Sequence, residues 1–209
     1  MFRHIFCVIT ASACLLLPAG TGAGDIANGG GDYATLEKLG AALFHDTNLS
    51  MNRTMSCSTC HMEAAGFTDA RESEKVGHDV SLGDDGASLG DRNAPSAAYA
   101  KFSPPFGRNA VGEYVGGHFW DGRASTLEEQ AGGPPLNPVE MGMPDKATIA
   151  KRLKENPDYA AAFGTQFGGD VFKSDDDAFA AMTKALAAFE RSDEFSTFDS
   201  KYDRFLRGE

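Results

Sequence analysis

Cys57-Ser58-Thr59-Cys60-His61 is the stretch of this 209-residue chain from which its fold is read. Positions i and i+3 lie on one face of a helix, so both sulfurs point the same way. They can form thioethers to the two vinyl groups of one haem, and the histidine that follows then places an imidazole nitrogen on the iron. Other uses of the cysteine pair have other needs. A structural zinc site takes four protein ligands, a thioredoxin-type pair sits in a βαβ setting, and a disulfide here would close a very small loop. The chain has four cysteines, but Cys7 and Cys14 lie in an N-terminal leader-like segment, which leaves two thiolates for the rest of the chain. One covalent haem c, held by Cys57 and Cys60 with His61 as proximal iron ligand, is the expectation.

The leader explains the compartment. Met1 to His4 make a short basic start, Ile5 to Leu17 an apolar run, and Thr21-Gly22-Ala23 a small-residue cleavage site, the three parts of a signal peptide. Residues 1–23 are therefore expected to be removed on export to the periplasm. The apolar run is shorter than the ~20 residues that cross a bilayer, and no other stretch reads as a span. A lipoprotein variant at Cys14 fits less well, because Ala11 is small where a larger apolar residue is usual. Loss of Arg3 leaves 18 basic against 30 acidic residues, a formal charge of −12. That excludes nucleic acid as a partner and favours a basic docking protein, or simply keeps an exported chain in solution.

Residues 24–33 read as a flexible mature N-terminus and 34–209 as one haem domain. Leu36, Leu39, Gly40, Leu43 and Phe44 recur at helical spacing, predicting a helix over 34–45. Residues 66–118 hold many glycines, prolines and aspartates without periodicity, the kind of irregular wrapping a haem pocket needs. Ser125-x-x-Glu128 reads as a capping box. Asp145 caps a helix ending near Asn156-Pro157, and Tyr159 to Phe163 suggest a short turn. Ser174 opens the strongest helix, striped by Phe179, Met182, Leu186 and Phe189. Phe195 through Leu206 suggest a last helix. The class is all-α: a cytochrome c-like haem domain with long irregular loops wrapping the haem.

The order of Leu43-Phe44, Met55-Ser56-Cys57 through His61, Phe67-Thr68-Asp69, Arg92-Asn93-Ala94-Pro95-Ser96, Phe119-Trp120-Asp121-Gly122-Arg123, Leu127 to Ala131 and Leu136-Asn137-Pro138-Val139-Glu140-Met141 resembles the N-terminal, peroxidatic haem domain of the bacterial dihaem cytochrome c peroxidase and MauG family. The resemblance covers about residues 34–207. It implies a haem that meets hydrogen peroxide on the face opposite His61, with Glu140 and Gln130 lining that distal pocket and Trp120 between two haems. In these roles Glu140 relays a proton, Gln130 holds peroxide and Trp120 passes an electron. Without the resemblance, Glu140 and Gln130 read as solvated polar residues and Trp120 as a core anchor.

The chain departs from the family pattern at two places. It has a single Cys-x-x-Cys-His and stops near where the family's second haem domain begins, so it is expected to be either a one-domain relative or a truncated one. Electrons then come from an external donor such as a small cytochrome or cupredoxin, or from a haem on another chain. Asn93 matches the family's calcium-ligating asparagine, but the remaining ligands belong to the second domain, so calcium is expected to be weak or lost. The second departure is that Asp84 falls where the peroxidases proper carry a distal histidine, with His78 nearby but out of register. This implies a MauG-like open distal side, and with it oxidation of another protein as the alternative reaction. The competing function is electron transfer with a methionine as sixth ligand, from Met141 or Met143, less so Met55 or Met62. Core packing is the plainer use of these methionines. His45 and His118 are read as partly exposed and unrelated to iron.

Overall fold

The computed structural model describes residues 33–71 and 79–209. The expected signal peptide, residues 24–32 and His78 lie outside the described residues.

The stripe of Phe179, Met182, Leu186 and Phe189 builds the central helix α7 (Asp175–Glu190), on which the other elements are arranged. Ser174 caps it by accepting from the Asp177 amide, and three aspartates fill its first turn, where the helix dipole favours negative charge. Helix α1 (Leu36–His45) crosses α7 at Gly40. A Cβ at Gly40 would stand 1.9 Å from the Ala185 carbonyl oxygen, so only glycine lets the two backbones approach this closely. Leu39, Leu43 and Phe44 are buried at that crossing. Thr35 caps α1, one residue inside the expected start.

The haem motif forms the one-turn helix α2 (Cys57–Cys60), as its spacing predicts. Downstream lie α3 (Leu127–Ala131), α4 (Gly133–Leu136), α5 (Lys146–Glu155, capped by Asp145) and α6 (Pro157–Phe167). Helix α6 is longer than the short turn the sequence suggests, because Asn156 caps it and Pro157 sits at its first position, where no amide is needed. The capping box at α3 shifts by one residue. Thr126, not Ser125, accepts from the Glu129 amide, while the Glu129 carboxylate accepts from the Ser125 amide.

The expected last helix divides. Phe195 turns inward in a 3-10 turn, with its ring 4.1 Å from Phe67 and 5.1 Å from Phe189, centroid to centroid. Helix α8 (Lys201–Arg207) starts only at the Ser200 cap, and Phe198, Tyr202, Phe205 and Leu206 are exposed. Tyr33, expected within the flexible N-terminus, instead packs its ring on Tyr159 at 5.3 Å. The irregular segment contains one two-residue hairpin, β1 (Gly107–Arg108) with β2 (Tyr114–Val115), too small to change the all-α class. No described helix is long and apolar enough to cross a membrane.

Candidate haem site

Helix α2, the 90–97 and 117–123 loops, α3, the 134–141 turn and the C-terminal end of α7 enclose a cavity of about 640 Å³. Cofactor sites are typically ~300–1,000 Å³. Cys57, Cys60 and His61 all line it, and Met55, Leu127 and Leu186 give it apolar walls. Both thiols are free, and burial pushes each upward, Cys60 to about 11 against the opposing charge of Arg71. Two sulfurs and an imidazole opening into one apolar-walled cavity fit a covalent haem.

The sequence left the partner of the other His61 nitrogen unnamed, and the structure supplies it. Nδ1 donates to the Phe67 carbonyl at 3.0 Å, which leaves Nε2 with its lone pair for a metal. Burial holds the imidazole below its usual pKa, against the pull of that hydrogen bond and of Asp69. Phe67 is itself fixed: its ring stacks on Phe195, its carbonyl also accepts from the Ala97 amide, and its φ is +59°. The aromatic core around Phe189 and Phe195 thus sets the orientation of His61.

Gln130 and Glu140 line the same cavity. The Asn137 side-chain amide donates to Glu140 Oε1 at 2.8 Å, leaving Oε2 free, and burial raises the carboxyl above its usual range. The Gln130 carboxamide has no hydrogen-bond partner among the described residues. Trp120 is 62% exposed at the cavity rim, not a core anchor, and its indole donates to the Asn93 carbonyl at 2.7 Å. Of the four methionines, Met141 and Met55 line the cavity and Met143 and Met62 do not.

Asp84 does not line the cavity. Its carboxylate accepts from the Ser50 and Thr54 hydroxyls, both at 2.6 Å, and from the Asn52 amide. Burial pushes the group up, but these bonds outweigh it and leave it below the usual carboxylate range. The Asp84 amide also donates to the Glu140 carbonyl at 2.8 Å. Asp84 therefore ties the approach to the haem motif to the turn that carries Glu140. Sequence reasoning did not place His118 or Glu190 at the cavity: His118, read as unrelated to iron, lines it, and Glu190 lies at the end of a helix whose stripe reads only as core. Nothing in a single sequence marks either.

The fold and this cavity define a c-type haem domain. A family model described as di-haem cytochrome c peroxidase matches residues 34–209. The chain is 52% identical over 199 residues to the methylamine utilization protein MauG of Paracoccus denitrificans, covering 95% of this chain and 50% of that protein. It is 36% identical over 171 residues to the cytochrome c peroxidase Ccp of Escherichia coli, covering 82% and 31%. The crystal structure of the diheme peroxidase BthA from Burkholderia thailandensis superposes with a TM-score of 0.77 at 32% identity, covering 82% of this chain and 41% of that one. The chain belongs to the di-haem cytochrome c peroxidase family, and it spans half or less of the length of these relatives.

Proposed function

We propose that Cys57 and Cys60 bind one haem c covalently, with His61 on the iron, and that the domain reduces hydrogen peroxide with electrons from an external donor. The observation that carries this is the meeting, in one cavity, of the haem-binding triad with a carboxylate of raised pKa and an unpartnered carboxamide. The haem supplies the redox centre at which peroxide is reduced. Glu140 supplies the proton traffic: Oε2 accepts the proton of one peroxide oxygen and returns it to the other, a general acid–base task helped by burial, which raises the carboxyl above its usual range. Asn137 holds Oε1 so that this geometry is preset. Gln130 orients peroxide by hydrogen bonding.

Trp120, at the rim and exposed, is the residue through which electrons enter from a small cytochrome or cupredoxin, or from a haem on another chain. The acidic surface favours a basic donor. MauG-like oxidation of a protein partner uses the same site with the electron flow drawn from that partner. Residues 1–23 are proposed as a signal peptide for the periplasm and 34–209 as the haem domain. Calcium at Asn93 is expected to be weak or absent, since the family's remaining calcium ligands come from the second haem domain. A second reading, electron transfer with Met141 as sixth ligand, draws on the burial of Met141 at the cavity wall.

The test is Glu140→Gln in the haem-loaded chain. Removal of a general acid–base costs ~10²–10⁴-fold, so peroxide consumption should fall by at least a hundredfold with the haem spectrum retained. Unchanged turnover would remove Glu140 from the mechanism.

A further inference from the structure

Glu190, the last residue of α7, lines the haem cavity and is only 7% exposed. Its carboxyl has no hydrogen-bond or ion-pair partner among the described residues, unlike Glu140, which has Asn137. The charges around it are committed elsewhere. Arg191, next in the chain, makes a two-pronged ion pair with Glu128 of α3 at 2.7 and 2.9 Å. Lys101 donates to the Arg191 and Ser192 carbonyls and pairs with Asp193. From α1, His45 packs its ring on Phe189. From α2, Cys57 lines the same cavity and becomes an uncharged thioether once haem is bound, so it offers Glu190 no compensating charge. Holding an unpartnered, largely buried carboxylate at the cavity wall is costly, which favours the protonated form and makes the group responsive to a positive charge in the cavity.

We propose that Glu190 is a redox-linked proton carrier of this domain, releasing its proton when the haem iron is oxidised and regaining it when the iron is reduced. The inference rests on the haem reading above. Oxidation by a one-electron acceptor removes an electron from the iron and adds a positive charge to the cavity. Glu190 answers by losing H⁺ to solvent, so the net charge of the cavity is unchanged, and reduction reverses both movements. Burial as the leading cause, opposed by Arg191 and assisted by Glu128, already lifts the carboxyl to about 8, close enough to neutrality for one added charge to tip it.

The experiment is a spectroelectrochemical titration of the haem-loaded full chain with small one-electron mediators, repeated across neutral to alkaline pH, for the native chain, Glu190→Gln and Glu140→Gln. At a fixed applied potential the ferric-to-ferrous ratio should rise by up to about tenfold per pH unit in the native chain and in Glu140→Gln, and stay flat in Glu190→Gln. A native chain whose ratio ignores pH, or a Glu190→Gln chain that keeps the dependence, overturns the proposal. Should Glu190→Gln not fold, redox-difference infrared spectra of Glu140→Gln decide the matter. A protonated-carboxyl stretch that disappears on oxidation supports the proposal, and its absence refutes it. A chain that takes up no haem in thioether linkage fails at the absorption spectrum, before any titration, and so fails the haem reading rather than this one.

Discussion

Gly40→Ala probes the contact that seats the whole haem cradle. The new Cβ would lie 1.9 Å from the Ala185 carbonyl oxygen, 2.6 Å from its carbon and 2.9 Å from Phe189 Cβ. The first two are helix backbone and cannot rotate away. Restoring an ordinary contact of 3.4 Å needs α1 to retreat by about 1.5 Å. A gap of ~0.5–1 Å already forfeits a quarter to a half of a dispersion contact, and here Leu39, Leu43 and Phe44 would all draw back from α7. Overpacking of this kind costs about 1–3 kcal/mol and at times more, against a helix-propensity gain of about 1 kcal/mol for replacing glycine. Because the clash is with backbone that cannot give way, the upper end of that range, about 3 kcal/mol, applies, and the net loss of about 2 kcal/mol lowers Tm by ~4–8 °C in a domain of this size. Thermal unfolding of the haem-loaded protein, followed by circular dichroism, measures it. Gly164→Ala in α6 is the matched control: its Cβ meets nothing within 4 Å, so only the propensity gain remains and Tm should rise by a few degrees. A Gly40→Ala protein as stable as the native one would refute the close-crossing argument.

The remaining predictions concern charge and ligation. Arg191 holds the Glu128 carboxyl down at about 2, against an ordinary value of 4.5. A depressed carboxyl stabilises the fold above its unfolded pKa and loses that contribution as pH falls through the folded one. Glu128→Gln should therefore cost a fraction of a kcal/mol at neutral pH, as half-exposed pairs do, and progressively less as pH falls toward 2, by urea unfolding across that range. An equal cost at both ends would show that the ion pair is not the cause. Met141→Leu should leave the ferric absorption spectrum unchanged, because an open sixth position does not use the sulfur. Loss of a methionine–iron charge-transfer band would establish the electron-transfer reading instead.

Much of this molecule was legible in its sequence because local chemistry specified it. The Cys57–His61 spacing needs only one helical turn to work, and Asp145 and Ser174 cap their helices as their side chains predict. Where the reading slipped, tertiary contacts decided. Phe195 belongs by pattern to the last helix, yet stacking with Phe67 and Phe189 draws it into a separate turn. Asp84 was read by its alignment to a distal ligand, while the hydroxyls that capture it, on Ser50 and Thr54, are about thirty residues away in sequence. The Phe67 carbonyl that orients His61 could not be named in advance, since a backbone oxygen carries no sequence signal. Glu190 was hidden for a related reason. A polar residue ending an apolar stripe looks like the solvent edge of a helix, and only the packing of α3 on α7 and the cavity beside it take that end out of bulk solvent.

The central claim, an open peroxidatic haem governed by Glu140, is tested most directly by visible and electron paramagnetic resonance spectra of the ferric protein before and after one equivalent of hydrogen peroxide. The account predicts a high-spin ferric signal that is lost promptly on adding peroxide in the native protein and persists in Glu140→Gln. A low-spin spectrum with a methionine–iron band, indifferent to peroxide, would contradict it.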